Sequence, residues 1–419
     1  MKIDRVLLAS LVLCATCASV RAQLDVSLPL DGYYRSGRYM PVLLRAAGNA
    51  PLRDVRLDGQ GIVPTVVSAQ GGEIVVPVLV ISPSAREIVV RGAGTAAPIR
   101  LPLRELPSDR QMIGLIREAG NQLLPFIPPA PTIVRAELDR AVVREAPPVA
   151  LEMLQSVLLD DPSLIGDPGA WLASGVQVLL VGRPPPDATW PWVEMQGLSL
   201  LRVDLLGPRA ALIGDDAYLP VQGWSPGRSP ALRRQVVLAG VLFSILAVAC
   251  ALAPRRAVAL TSLALVTIAA CAAICAWHRA HAPLNVLAGQ VAVEHGRVTQ
   301  WDAWTYFTSR PRIVASMPFN GAVRPVLVDA AQAESSALRL HWSDDPSGRY
   351  FEFNAENDAR QGFVSRTMIP WPAALEVTAA ARPGPFAAMA RALYRDDRYS
   401  VAGQLERGGS PVVLIVKQP

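Results

Sequence analysis

The chain has 419 residues, of which 18% are charged, and its mean hydropathy of +0.28 is too high for a wholly water-soluble protein of this length. The formal net charge of +5 comes mainly from scattered arginines, because lysine occurs only at Lys2 and Lys417, and no basic block indicates a nucleic-acid interface. We therefore expect two or three folded units, contact with lipid and no nucleic-acid partner.

The first segment, residues 1–22, has the pattern of a secretory signal peptide. Two basic residues precede an apolar stretch, and Val20 and Ala22 occupy the −3 and −1 positions of an A-x-A-like cleavage site. We expect cleavage before Gln23 and export of the region that follows. An uncleaved anchor is the alternative.

Residues 23–106 contain short alternating segments separated by Gly, Pro, Asn and Ser, which predicts an antiparallel β-sandwich. The early stretch DGYYRSGRYMPV resembles the opening of β-sandwich domains in bacterial envelope membrane proteins of uncharacterised role. Its tyrosines and arginines either pack across neighbouring strands, which we expect, or grip a sugar or another partner.

Residues 107–230 change to alternating strands and helices, which predicts a small α/β domain. In the stretch DPGAWLASGVQVLLVG, Asp167 can cap a helix, Pro168 fits its first turn and Gly175 its end, and a parallel strand follows. The longer run LDDPSLI…WLASGVQVLLVG resembles the class I glutamine amidotransferase-like, flavodoxin-like domain of bacterial envelope proteins.

Three residues of this domain, Asp160, Asp161 and Gly182, lie at predicted carboxyl ends of strands, where open α/β sheets bind ligands. They either form a ligand site or are solvated loop groups. Catalytic amidotransferases use a cysteine nucleophile, and no cysteine occurs between Gln23 and Ala249. We therefore expect a degenerate amidotransferase-like domain without thiol-dependent chemistry.

Two uncharged apolar runs, residues 235–253 and 257–277, are separated only by Pro254, Arg255 and Arg256. Each run is long enough to cross about 30 Å of hydrocarbon, so together they predict a transmembrane hairpin. After a cleaved signal peptide, both flanking regions would lie outside the cytoplasm, with the two arginines inside. A buried pair of soluble helices is the alternative.

Residues 283–419 return to the alternating pattern and predict a β-rich domain, read as a second β-sandwich, with one helix over 385–394. The phrase QWDAWTYF contains Trp301, Trp304 and Tyr306. These aromatic residues either pack in a core or contribute to a platform for carbohydrate or protein.

These patterns predict a multidomain α+β membrane protein with a β-sandwich, a small flavodoxin-like domain, a helical hairpin and a second β-sandwich. His278 and His281 have H-x-x-H spacing without a third ligand, so we expect no metal site. We also expect no cofactor and no catalytic residue. The function expected is that of a non-enzymatic scaffold or binding protein of the bacterial inner membrane, with periplasmic domains and an envelope protein or polysaccharide as partner. The alternative is a hydrolase-like envelope enzyme with a site at the strand ends of the α/β domain.

Overall fold

The computed structural model describes residues 24–92, 97–127, 129–184, 189–195, 197–208, 215–222, 224, 230–252, 256–280, 284–309, 312–326, 338–355, 361–370, 385–407 and 410–417. These residues form a mixed α+β structure with several sheets. The signal peptide expected at residues 1–22 lies outside the described residues, as do Pro254 and Arg255 of the expected hairpin turn.

The N-terminal region is built from strands that divide among three sheets, and the region has one apolar core. They are β1 (Leu24–Ser27), β2 (Tyr33–Tyr34), β3 (Arg38–Ala46), β4 (Leu52–Asp58), β5 (Thr65–Ala69), β6 (Glu73–Val80), β7 (Glu87–Arg91), β8 (Ile99–Pro102) and β9 (Arg104–Glu105). The three sheets are β1-β3-β6, the pair β2-β9, and a larger sheet that contains β5, β4, β7 and β8. The predicted antiparallel pairing is confirmed in the sheet of β1, β3 and β6, and between β4 and its neighbours β5 and β7.

Strands β3 and β6 are buried almost along their whole length, so they read as apolar runs rather than as alternating segments. One reason is that residues 148–151 of the middle region pack against both strands. The N-terminal and middle regions therefore share buried surface and do not form separate, non-contacting domains.

The middle region forms a six-stranded sheet in the order β11-β10-β12-β13-β15-β14. Its elements are β10 (Gln111–Ile116), α1 (Gly120–Leu123), β11 (Ile133–Leu138), α2 (Arg140–Glu145), β12 (Ser156–Leu159), α3 (Pro168–Ser174), β13 (Gln177–Val181), β14 (Trp192–Met195) and β15 (Leu198–Leu201). The pairs β11–β10, β10–β12 and β12–β13 are parallel, and the last two strands are antiparallel.

The unit that was predicted in most detail, β12–α3–β13, is confirmed. The Asp167 carboxylate accepts a hydrogen bond from the Gly169 amide at 2.8 Å and so caps α3. Gly175 ends the helix with φ of +80°, a conformation that favours glycine.

The C-terminal region forms a six-stranded sheet in the order β19-β22-β17-β16-β24-β23. The strands of the C-terminal region are β16 (Asn285–His295), β17 (Val298–Thr308), β18 (Ile313–Pro318), β19 (Ala322–Val326), β20 (Arg339–Ser343), β21 (Tyr350–Ala355), β22 (Gln361–Pro370), β23 (Tyr399–Arg407) and β24 (Ser410–Lys417). The region also contains one helix, Pro385–Leu393, which agrees with the predicted helix. That helix packs beside residues 215–221 on one face of the sheet.

The N-terminal and C-terminal regions share a sheet, which the sequence analysis did not anticipate. Strand β20 pairs in parallel with β5, with Leu340 opposite Thr65 and Ser343 opposite Ser68. The result is one seven-stranded sheet in the order β18-β21-β20-β5-β4-β7-β8. The expectation of two independent β domains therefore needs correction, because an alternating pattern identifies a strand but not its partner.

Between these two regions lie two long consecutive helices that contact each other, α4 (Pro230–Ala251) and α5 (Arg256–Ala280). Among the described residues, α5 is the one helix long and apolar enough to cross a membrane, over Arg256–Ala273, and α4 has a shorter apolar stretch, Gly240–Cys250. The Pro385–Leu393 helix is called α6 below.

A buried carboxylate joins the three regions. Glu152 forms an ion pair with Arg324 of β19, and both side chains are at most 3% exposed. The same carboxylate accepts a hydrogen bond from the Tyr39 amide of β3 at 2.7 Å, and the Glu152 carbonyl accepts one from Arg38 at 2.9 Å. The Tyr39 hydroxyl in turn donates to the Val323 carbonyl at 2.6 Å.

We expect Glu152→Gln to lower the free energy of unfolding by about 3–5 kcal/mol, because the change leaves the buried Arg324 guanidinium without a counter-charge. The matched control is Glu73→Gln, which breaks the exposed pair with Arg45 and should cost no more than about 1 kcal/mol. Denaturant titration of both variants checks this. Equal losses in the two variants would contradict the proposed role of Glu152.

Candidate functional site

The predicted acidic pair lies at the carboxyl end of β12, and the structure brings both members to one arginine. Arg140, the first residue of α2, donates to Asp160 at 2.6 Å and lies 3.5 Å from the Asp161 carboxylate. Asp161 also accepts a hydrogen bond from the Ser163 amide at 2.8 Å. That bond, with Arg140, lowers the pKa of Asp161 below its usual value.

Beside this pair is a cavity of about 160 Å³ at the ends of β10 and β11. It is lined by Leu115, Ile116, Arg117, Glu118, Gly120, Leu124 and Glu137. Arg117 lies 2.7 Å from the Asp139 carboxylate and 3.5 Å from that of Glu137. The carboxyl ends of three parallel strands therefore carry paired charges, which is where open α/β sheets bind ligands.

Gly182, the third residue predicted here, has a different role. Its amide donates to the Gly197 carbonyl at 3.2 Å, and its own carbonyl accepts from the Ser199 hydroxyl at 2.6 Å. With φ of +109°, it shapes the turn that leaves β13 and fastens it to β15. The prediction of a ligand-binding Gly182 gains no support from these contacts.

The aromatic residues of β17 divide between the two faces of the sheet. Trp304 and Tyr306 are fully buried under α6, so of the two interpretations given for these residues, core packing holds for them and a platform does not. The Trp304 indole donates to the Tyr394 hydroxyl at 3.0 Å, and the Tyr306 hydroxyl donates to the Ala217 carbonyl. Alternation along the strand places Trp301 on the opposite face.

Trp301 borders an open groove of about 370 Å³ on that opposite face. The groove is lined by Gln290, Trp301, Ala303, Ser365, Thr367 and Ile369. Trp301 is only 6% exposed, so it presents a narrow strip of its indole ring. Because this lining contains no charged side chain, the groove suits a neutral partner with hydroxyl groups better than an ion.

A buried polar network on the α6 side of the sheet was not anticipated. Arg366 donates to both Asp302 oxygens, at 2.7 and 2.6 Å, and the Tyr394 hydroxyl donates to the same carboxylate at 2.8 Å. Gln300 donates to Asp302 at 2.9 Å and to the Leu206 carbonyl at 2.6 Å. The one sign of this network in the sequence was Asp302, a charged residue at an inward-facing position of the aromatic-rich strand β17.

The network reaches a half-buried histidine at the end of β16. His295 Nδ1 lies 3.0 Å from the Tyr399 hydroxyl, and Nε2 lies 3.1 Å from Gln300 Oε1. Burial lowers the pKa of His295 below its usual value, and the charge of Arg366 acts in the same direction. The hydrogen bond to Gln300 and the carboxylates of Asp302 and Asp204 oppose this shift without cancelling it.

Metal coordination finds no support in the described residues, where no three His, Cys, Asp or Glu side chains are grouped to hold an ion. His281 of the H-x-x-H pair lies outside them. Four further residues of these sites carry no signal in the sequence, because each comes near its partners only through pairing of distant strands or through a helix start: Arg140, Gln290, Ser365 and Thr367.

The lowered pKa of His295 predicts a loss of stability in acid. Unfolded histidine titrates near pH 6.5, so between the folded pKa and that value the unfolded chain binds more protons and stability rises with pH. We expect the thermal midpoint to fall from pH 7 to pH 5, and to fall less in His295→Gln.

Thermal unfolding at both pH values, in the same detergent, checks this prediction. Tyr399→Phe removes one hydrogen bond but keeps the titrating ring, so it serves as the control and should retain the loss in acid. The same acid-induced shift in wild type and His295→Gln would remove His295 as its source.

No family model matches the chain, and no curated protein or solved structure shows significant similarity to it. The strand-end cluster and the Trp301 groove are therefore interpreted from their own geometry.

Proposed function

We propose that the protein is a non-enzymatic scaffold or binding protein of the bacterial cell envelope, held at the inner membrane by a helical hairpin. The observation that carries this proposal is the shared sheet: β5 precedes the two long helices and β20 follows them, yet the two strands pair along their length.

The two helices require an apolar surrounding. Large apolar side chains that are at least 43% exposed occur along both of them, namely Val237, Leu238, Val241, Leu242, Ile245, Leu246, Val248, Val258, Leu260, Leu265 and Ile268. Such a continuous apolar surface is rare on a soluble protein and matches a lipid-facing one. The apolar stretch of α5 supports a membrane role directly, and that of α4 supports it through contact with α5.

The shared sheet bears on the number of crossings. An open sheet cannot extend through hydrocarbon, because its unpaired edges would lose their hydrogen bonds to water. Strands β5 and β20 therefore lie on one side of the bilayer, and the chain between them crosses an even number of times. Two crossings, by α4 and α5, satisfy this condition.

The side of the membrane is proposed from the sequence. The signal-peptide pattern of residues 1–22 directs the N-terminal region out of the cytoplasm, and the shared sheet then takes the C-terminal region with it. The arginines between the helices would face the cytoplasm, in line with the usual excess of positive charge there. This gives a periplasmic body on an inner-membrane anchor.

Binding rather than catalysis is favoured by the state of the carboxylates. Asp160 and Asp161 are bound by Arg140, and Glu152 and Asp302 are locked in buried ion pairs. Parallel order in β11-β10-β12-β13 supports a flavodoxin-like domain, and the lack of cysteine there supports a degenerate amidotransferase-like one. We place the binding surface at the Trp301 groove, whose amide, hydroxyl and indole groups favour a polysaccharide partner.

A second candidate is a hydrolase-like enzyme with its site at the strand ends. It is favoured by the 160 Å³ cavity and by Asp160 Oδ1, which is buried and lacks a hydrogen-bond partner among the described residues. Under this alternative, Asp160 would be the group whose loss stops function without unfolding the protein.

Two variants separate these functions. We expect Thr367→Arg, which inserts a long charged side chain into the groove, to abolish recovery of native envelope polysaccharide with the detergent-solubilised protein. Asp160→Asn keeps the side-chain shape and should recover as much as wild type. The hydrolase-like enzyme would be favoured instead if Asp160→Asn lost the protein's function in the cell with an unchanged melting curve, while Thr367→Arg recovered envelope polysaccharide normally.

The topology is tested separately by reporter fusions. Fusions after Gln222 and after the last residue should both report the periplasm, whereas one inserted beside Arg256 should report the cytoplasm. The protein should also resist carbonate extraction. If the fusion after Gln222 and the fusion after the last residue report opposite sides of the membrane, the hairpin is refuted.

A further inference from the structure

The segment that precedes the first long helix lies at one end of the C-terminal sheet. Residues 215–221, which precede α4, are fastened there by two hydroxyls. The Tyr306 hydroxyl, near the end of β17, donates to the Ala217 carbonyl. The Tyr218 hydroxyl donates at 2.7 Å to the carbonyl of Val326, the last residue of β19.

The chain leaves the second helix at the same end. Only four residues separate Ala280, the last residue of α5, from Asn285, the first residue of β16. At no more than about 3.5 Å per residue, Asn285 lies within roughly 18 Å of the helix end. Asn285 pairs with Thr308, the last residue of β17, so entry and exit meet one end of the body.

Strand β18 also begins at this end of the body. Phe307 of β17 and Phe353 of β21 contact each other with ring centroids 5.0 Å apart, and Phe353 pairs with Ala315 of β18. The start of β18 is therefore level with the end of β17. Val314 is 61% exposed here, and Val286 at the start of β16 is 52% exposed.

The end of the body defined by Val286, Thr308, Arg312 and Val314 is called the membrane-facing end. We propose that it rests on the bilayer surface, with both valines in the interfacial layer and the exposed Arg312 level with the lipid headgroups. The occupant is lipid because both connections to the helices arise at this end. An anionic surface would further favour the arginine. This inference rests on the proposed hairpin.

Contact at this end sets the height of the groove. Gln290 lies five residues along β16 from Asn285, and a strand rises about 3.4 Å per residue, so the groove lies at most about 17 Å above the start of β16, when the strand stands upright on the bilayer. The binding surface then faces the aqueous space, clear of the headgroups.

The test uses the full chain in vesicles of phosphatidylcholine and phosphatidylglycerol, with all five native cysteines, Cys14, Cys17, Cys250, Cys271 and Cys275, replaced by Ala. A fluorophore is attached at Val314→Cys or Val286→Cys, with Thr367→Cys in the exposed groove as the control. Headgroup-nitroxide lipid should quench the label at either valine position several-fold more than the label at Thr367. Having two valine variants covers failure of one to fold.

The outcomes separate this inference from the hairpin itself. Equal, weak quenching at all positions in protein that resists carbonate extraction would overturn the inference and leave the hairpin intact. Weak quenching, together with disulfide-linked dimers of the unlabelled Val314→Cys protein under an added oxidant, would overturn it in favour of a contact between two copies. Protein that washes off the vesicles would refute the proposed anchoring instead.

Discussion

The Glu152 carboxylate is the point at which the three β-containing regions are held together. It lies in the turn region before β12, yet its hydrogen-bond partners belong to β3 and β19, from opposite ends of the chain. A buried ion pair contributes little net stability over an apolar replacement, because desolvation offsets the attraction. Burial raises the pKa of Glu152 even though Arg324, the Tyr39 amide and Arg38 all act to lower it. The arrangement matters for its geometry, because the buried charge gains these partners only when β3, the segment around Glu152 and β19 lie together.

That junction makes the body a single unit, although the two long helices α4 and α5 interrupt its sequence. The seven-stranded sheet joins the first and last regions, and the middle region packs against β3 and β6. The second ion pair, between Asp302 and Arg366, ties the C-terminal sheet to α6 through Tyr394 and to the Leu206 carbonyl. A body with these buried charges resists internal hinge motion, since each motion would expose an unpaired charge. A rigid body of this kind would suit the proposed scaffold better than an enzyme that closes over its substrate.

Local features of the sequence predicted much of this structure. Capping by Asp167, the end of α3 at Gly175, the two long helices and the alternating strands all follow from rules that act over a few residues. The shared sheet did not follow, because strand pairing depends on which edges meet in space. Alternation along β17 is enough to assign Trp301 and Trp304 to opposite faces of the sheet. It does not say which face is the core and which borders the groove, because that depends on where α6 packs. At the strand ends, Asp160 and Asp161 were found, whereas Arg140 was not, because a salt bridge across 20 residues has no local signature.

The pairing of β5 with β20 has a consequence for biogenesis. Tyr39 likewise bonds to a carbonyl 284 residues later in the chain. At a synthesis rate of about 5–20 residues per second, the exposed edge of β5 waits on the order of tens of seconds for its neighbour to leave the ribosome. In the proposed topology the two apolar helices would also enter the bilayer during that interval. Under the proposed export, the early strands would reach the far side of the translocation machinery with an open edge, and a chaperone in that compartment would have to shield it until the rest of the chain arrives.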